Sequence, residues 1–442
     1  MLRRKITNQL IEWKKRENHR PLIIGGARQV GKTHSIRDFA QGHYRSVIEI
    51  NFALQKAYRR IFDQSFEVDD IIKEISTINP NFEYIPHETL FFFDELQDCP
   101  NCATSLKSFH LDGRFDVICS GSLMGIHYKE IDSNSVGYKE DLRMHAMDFE
   151  EFLWAKGYNE DVIETLFVNM RDITPLSDNT FEVINRLFME YILVGGMPEI
   201  VNMFVRQNTF NDVLLRQRQL LRDYEDDITK YARDLDKAKI LSIYRHIAVF
   251  LGKENKKFQV SKVAVNARSR EYVGVTEWLT DANIAQVCYC LDVPELPLGG
   301  NYNPTNYKLY YHDTGMLIAS LDQEAQEDLY INRNFNTYKG AIYENVLANM
   351  LVKQSFDLYF YRNEKSTLEM DFFVRDARSL VPIEMKARDG ATPSLNNLLQ
   401  PDRYPDIRYG IKFGMKNIGF NGKFYTFPYA LAFLLRRFLQ TR

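Results

Sequence analysis

The chain has 442 residues, of which 45% are hydrophobic and 26% charged, with a formal net charge of −3. That length exceeds one ordinary core and sets an expectation of about two to four domains, while the composition excludes a disordered chain and the charge gives no global basic signal for nucleic acid. No uninterrupted apolar stretch reaches the ~20 residues of a membrane span, and no apolar signal core follows the basic start Met1–Lys5, so a cytoplasmic location without a membrane partner is expected.

Residues 1–20 carry Leu10, Ile11 and Trp13 among Arg and Lys, the pattern of an amphipathic helix. Pro21-Leu22-Ile23-Ile24 suits a buried parallel strand that Gly25 and Gly26 end, and a helix pattern runs from Lys32 towards Phe39. Val47–Phe52, Leu90–Phe93 and Phe115–Cys119 read as further strands, with a helix over Asp69–Ile78. Strands alternating with helices imply a mostly parallel α/β layer. Cys99 and Cys102 form a lone C-x-x-C, read as ordinary reduced thiols near a helix start, since no further ligands accompany them. After Met147 the texture changes. Asp148 and Glu151 have the spacing of a capping box, and residues 160–250 are mainly helical. Residues 257–318 read as two helices and two short strands, near Ile284–Leu291 and Tyr307–His312, the order of a winged helix. From about 335 a helix near Gly340–Leu351 precedes strands at Leu358–Arg362, Met370–Val374 and Val381–Glu384. The tail Phe424–Tyr429 reads as core, followed by a closing helix from Ala430 to Leu439.

Gly26-Ala27-Arg28-Gln29-Val30-Gly31-Lys32-Thr33 matches G-x-x-x-x-G-K-[ST] in full, after an apolar strand and before a helix. Glycines let successive backbone N–H groups curl into an anion nest, and the helix that follows offers free N–H groups and its positive end to phosphate. Lys32 can reach the β- and γ-phosphates, the Thr33 hydroxyl can ligate Mg²⁺, and His34 continues the phosphate-facing first turn. Leu90–Phe93 then delivers Asp94 and Glu95 to a strand end. Asp94 is expected to hold Mg²⁺ and Glu95 to act as general base on the attacking water. Ser120 sits where a γ-phosphate sensor is expected, with Ser122 as the alternative. Arg114, Arg143 and Arg268 are candidates for a finger arginine, and nothing in the sequence selects among them.

The strings Ala27–Thr33, Phe93-Asp94-Glu95-Leu96-Gln97, Met147–Phe152, Val194-Gly195-Gly196-Met197-Pro198-Glu199 and Ala267–Arg270 resemble a prokaryotic group of AAA-type P-loop ATPases. Members carry a C-terminal domain of unknown function with a restriction-endonuclease-like core. Tyr310–Gly315, Lys339-Gly340 with Glu344-Asn345, and Pro382–Lys386 extend the likeness to that domain. The chain departs from the group at Ala146, where proline is common, and at Tyr138, where a basic residue is common after the glycine aligned to Gly137. The resemblance implies ATP as ligand. It implies an AAA-type ATPase domain at 1–155, a helical lid at 156–235, a winged helix at 236–322 and a restriction-endonuclease-like α/β domain at 323–442.

In the last domain, Asp371 and Glu384 could bind Mg²⁺ through oxygen and Lys386 could activate water, with Glu344 completing the cluster, as a metal-dependent nuclease needs. The alternative is a salt bridge that merely keeps the fold. Lys256, Lys257, Lys262, Arg268 and Arg270 offer a stripe for DNA phosphates. The expected function is an ATP-driven switch or motor acting on nucleic acid, with a cutting or gripping C-terminal domain. The alternative is a regulatory ATPase whose C-terminal domain binds a protein partner. A homo-oligomer is compatible with either.

Overall fold

A computed structural model describes residues 2–122, 135–232, 234–253, 258, 272–331, 338–363, 367–386 and 390–442. The chain divides into two compact units, Met1–Ala146 with Asp281–Asn283, and Met147–Thr280 with Ile284–Arg442.

The first unit is built on five strands: β1 (Leu22–Gly26), β2 (Ser46–Asn51), β3 (Thr89–Asp94), β4 (Asp116–Ser122) and β5 (Glu140–Arg143). Their order is β2-β3-β4-β1-β5, and every pair is parallel. The inner parallel strands are covered on both faces and carry apolar runs, Leu22–Ile24 in β1, Leu90–Phe93 in β3 and Val117–Cys119 in β4, whereas the edge strands β2 and β5 alternate. All six residues of β3 are buried. Helices α1 (Ile6–Lys15), α2 (Lys32–His43), α3 (Val68–Ile78) and α4 (Pro100–Asp112) accompany the sheet. One core cluster joins Ile48, Ile50, Phe91 and Phe93 to Ile71, Leu106 and Phe109. Cys99, Cys102 and Cys119 belong to that cluster, all as free thiols, and burial pushes the Cys99 thiol up to about 12. Pro100 opens α4, where its missing N–H costs nothing, and Gly113 closes it in the left-handed region at φ 68°.

The second unit begins with helices at Phe149–Ala155, Glu160–Arg171, Asp178–Val194, Pro198–Gln207, Val213–Tyr231 and Asp234–Leu251. The first is closed by the capping box that its sequence spells: Glu151 N–H donates to Asp148 at 2.9 Å and Asp148 N–H donates to the Glu151 carboxylate at 3.1 Å. The remaining strands are β6 (Ala285–Leu291), β7 (Tyr302–Tyr311), β8 (Tyr359–Arg362), β9 (Glu369–Arg375), β10 (Leu380–Met385), β11 (Gly410–Gly414), β12 (Gly419–Phe420) and β13 (Phe424–Pro428). They form one mixed sheet in the order β12-β13-β11-β10-β9-β8-β6-β7. The β6–β7 hairpin, expected as the wing of a separate module, pairs through β6 with β8 in parallel, Tyr289 opposite Tyr359. The boundary expected at 322/323 therefore falls between strands of a single sheet. The basic residues Lys256, Lys257, Lys262, Arg268 and Arg270 lie outside the described residues.

The strings that mark the chain meet inside this unit. Met147 N–H donates to the Gly196 carbonyl at 2.7 Å, and Gly196 N–H donates to the Asp313 carboxylate at 2.6 Å. The other Asp313 oxygen accepts from Gly315 N–H at 2.9 Å. Gln217 donates to the carbonyls of Leu193 and Val194 at 2.8 and 3.0 Å. Backbone approaches so closely that glycine is required: a Cβ on Gly196 would sit 2.1 Å from the Met147 carbonyl oxygen. Gly196→Ala should therefore lower the stability of the second unit by about 1–3 kcal/mol, because the obstacle is backbone and cannot rotate away. Urea denaturation followed at Trp154 checks this, and an unchanged midpoint contradicts it.

Candidate functional site

Parallel packing brings every strand's carboxyl end to one edge of the first sheet, where open α/β sheets bind ligands. β4 lies between β1 and β3. The loop after β1, the acidic pair after β3 and the end of β4 therefore come together.

The loop is shaped by glycine. Gly26 has φ 154°, and a Cβ there would lie 2.2 Å from the Met144 carbonyl oxygen. Gly31, at φ 97°, turns the chain into α2, and Gln29 takes the left-handed region at φ 62°. Ala27 and Val30 are buried beneath the loop, whereas Arg28 and His34 are exposed. Arg4, ahead of α1 and 8% exposed, donates to the Val30 carbonyl at 2.7 Å and to the His145 carbonyl at 2.8 Å. It thus pins the loop to the segment that leaves β5.

Lys32 folds back over the loop and donates to the Gly26 and Ala27 carbonyls, both at 2.8 Å. Burial pushes its ammonium down to about 8, against the pull of Glu95 and Asp94. Thr33, the next residue, donates to Asp94 at 3.2 Å. Asp94 is 4% exposed and collects further donors: Asn51 Nδ2 at 3.0 Å, Glu95 N–H at 3.1 Å and a short bond from the Ser120 hydroxyl. Glu95 takes the left-handed region at φ 57°, which turns its carboxylate away from the strand, where it accepts from Gln97. The expected residues Lys32, Thr33, Asp94, Glu95 and Ser120 are therefore assembled at one sheet edge.

Sequence reading missed Asn51 and Arg4. Asn51 ends β2, and parallel register with Asp94 places it there. The signal was a polar residue closing an apolar strand. Of the finger arginines, Arg114 precedes β4 at the far end of the strand and pairs with Asp112 and Asp69, both at 2.6 Å. Arg143 closes β5 opposite Gly25, on the loop's edge of the sheet, and is exposed. Arg268 lies outside the described residues.

The second unit holds the other expected group. Asp371 accepts from Met385 N–H at 2.7 Å, and Lys386 pairs with Glu384 at 2.7 Å. Glu344 does not face an open position. It accepts from Lys308 at 3.0 Å and from the Tyr310 hydroxyl at 2.7 Å. Among the described residues, no group of three or more His, Cys, Asp or Glu is placed to hold a metal ion. One buried oxygen of Glu384, Oε2, has no hydrogen-bond partner among the described residues.

Comparison with known proteins matches three successive stretches of the chain. Residues 18–153 match the family model of an AAA domain, residues 185–327 a domain of unknown function (DUF8612) and residues 339–431 another (DUF4143). An uncharacterized protein of Methanocaldococcus jannaschii, MJ1544, is 25% identical over 387 residues, covering 84% of this chain and 75% of that protein. The Walker-type ATPase PABY2304 of Pyrococcus abyssi is similar with a TM-score of 0.44 and 15% identity, over 72% of this chain and 96% of that one. The Aeropyrum pernix ORC1 protein, solved in complex with DNA, gives 0.29 and 11%, over 74% and 92%. The strand order and the glycine-shaped loop agree with the family match, and the chain joins an AAA domain of the P-loop ATPase type to a C-terminal domain of unknown function.

Proposed function

We propose that this protein is a Mg²⁺-dependent ATPase that works as a nucleotide-controlled switch. The observation that carries the reading is the convergence of Lys32, Thr33, Asp94, Glu95 and Ser120 at the carboxyl edge of the first sheet. Lys32 would exchange its two loop carbonyls for phosphate oxygens. Thr33 and Asp94 would hold the metal, which neutralises charge on the β- and γ-phosphates. Glu95 would orient the attacking water and take its proton, released from Gln97 for that purpose. Ser120, hydrogen-bonded to Asp94, would report the γ-phosphate. A path outward is supported by Arg4, since it ties Val30 of the loop to His145, one residue before the first unit ends at Ala146.

The second unit would read out the nucleotide state. One observation favours a regulatory, non-cleaving C-terminal domain over a nuclease: Glu384 and Glu344 are each held by a lysine rather than left to a metal. The target, nucleic acid or protein, is decided by experiment. Hydrolysis of ATP by the full chain, with and without DNA, should need Mg²⁺, and Glu95→Gln should bind ATP yet lose about 10²–10⁴-fold in turnover. Acceleration by DNA would assign a nucleic-acid target, and indifference to DNA a protein partner. Turnover retained in Glu95→Gln sinks the assignment of the base.

Lys32 adds a pH dependence. Free protein holds this amine at about 8, so above that pH it is mainly neutral. Bound triphosphate favours the ammonium and raises its pKa, so binding must take up a proton there. ATP affinity should be constant below pH 7.5 and fall roughly tenfold between pH 8 and 9.5. Calorimetry in buffers of different ionisation enthalpy should register the uptake, and Lys32→Met should abolish it. A flat affinity across that range in the unaltered protein contradicts the account.

A further inference from the structure

The second sheet carries a buried cation that neither the nucleotide chemistry nor the expected nuclease constellation uses. Lys308 stands on β7 opposite Cys288, with its side chain 2% exposed. Its Nζ lies 3.0 Å from Glu344 Oε1, 3.7 Å from Glu369 Oε1 and 4.6 Å from the centre of the Phe360 ring. Tyr310, two residues on and therefore on the same strand face, donates to the same Glu344 oxygen at 2.7 Å. Glu344 comes from the helix Lys339–Lys353 and is 1% exposed. The cluster thus clasps the β6–β7 hairpin, that helix and strands β8 and β9 through one ammonium.

A restriction-endonuclease-like core implies a Mg²⁺ bound between Asp371 and Glu384. The orphaned Glu384 Oε2 would suit a cation. The rest of the donor set does not. Mg²⁺ completes a near-octahedral shell largely with water, but it must be anchored by one or two carboxylates free to face it. Here Lys386 pairs with the other Glu384 oxygen, one Asp371 oxygen accepts from Met385 N–H, and one Glu344 oxygen accepts from both Lys308 and Tyr310. A divalent ion on Glu384 would stand against the Lys386 ammonium, 2.7 Å from that carboxylate. We propose that Lys308 is the resident cation of the Glu344 and Glu369 carboxylates, that this internal ion pair clasps the second sheet, and that, with Lys386 on Glu384, the described residues of the sheet take no divalent metal.

The electrostatics agree with the geometry. Burial pushes the Lys308 ammonium down, yet Glu344, Asp371 and Glu369 together hold it above the ordinary lysine range. A buried ion whose partner is removed is strongly destabilising, whereas replacing both partners with apolar side chains is far less so. Lys308→Met should therefore lower the thermal midpoint of the second unit by roughly 10 °C. Lys308→Met combined with Glu344→Leu should recover most of that loss.

The inference is independent of the ATPase reading, because it is tested without nucleotide. Mn²⁺ binding is measured by paramagnetic resonance on the full chain carrying Asp94→Asn, with and without Glu384→Gln. The two proteins should give the same free Mn²⁺ signal up to ~1 mM, the weak end of protein cation sites. A Mn²⁺ site lost on Glu384→Gln overturns the proposal, as does a Lys308→Met protein as stable as the parent. If the single Lys308 variant does not fold, the Mn²⁺ comparison still decides the matter.

Discussion

A carboxylate at 4% exposure must be compensated, and Asp94 is compensated from every element that frames the site. Thr33 reaches it from the first turn of α2, Asn51 from the end of β2, Ser120 from the end of β4 and Glu95 N–H from the chain beyond β3. Each donor stands where parallel strand register puts it, so the anion and the sheet order require each other. The phosphate loop takes its position from the same arrangement, since Thr33 follows Lys32 directly. Two of these donors, Thr33 and Ser120, are also the groups that a metal and a γ-phosphate would claim in the proposed function. That shared use is how a change of ligand would be transmitted to three strands at once.

The second unit solves the same problem with an internal cation. Asp313 receives backbone N–H groups from Gly196 and Gly315, and Glu344 receives Lys308 and Tyr310. In both places a buried carboxylate binds sequence-distant segments together. Removing one partner of such a cluster leaves a buried charge uncompensated, so each cluster depends on all its members.

Much of the first unit was legible because its signals are local. A complete phosphate loop and an apolar strand ending in Asp94-Glu95 each declare themselves within a few residues, as does the capping box at Asp148 that opens the second unit. Short β5 was not legible: Glu140-Asp141-Leu142-Arg143 is a polar edge strand whose pairing with β1 no periodicity reveals. Asn51 and Arg4 escaped for a related reason, as their partners lie 43 and 26 positions away along the chain. The β6–β7 hairpin was read as a wing because hairpins look alike in sequence, and only its pairing with β8 joins it to the later strands. Strands β11 to β13 went unassigned, although the aromatic tail was rightly placed in the core. Lys308 drew no notice, since a lone lysine in an apolar strand gains meaning only from Glu344 on a helix 36 positions on.

The central claim is that Asp94 organises a metal–nucleotide site. It is tested most directly by titrating ATP, with and without Mg²⁺, into the unaltered protein and Asp94→Asn. The account predicts that Mg²⁺ tightens binding to the unaltered protein, that Asp94→Asn loses most of this tightening, and that metal-free binding is similar in the two. An equal Mg²⁺ effect in both proteins would contradict it.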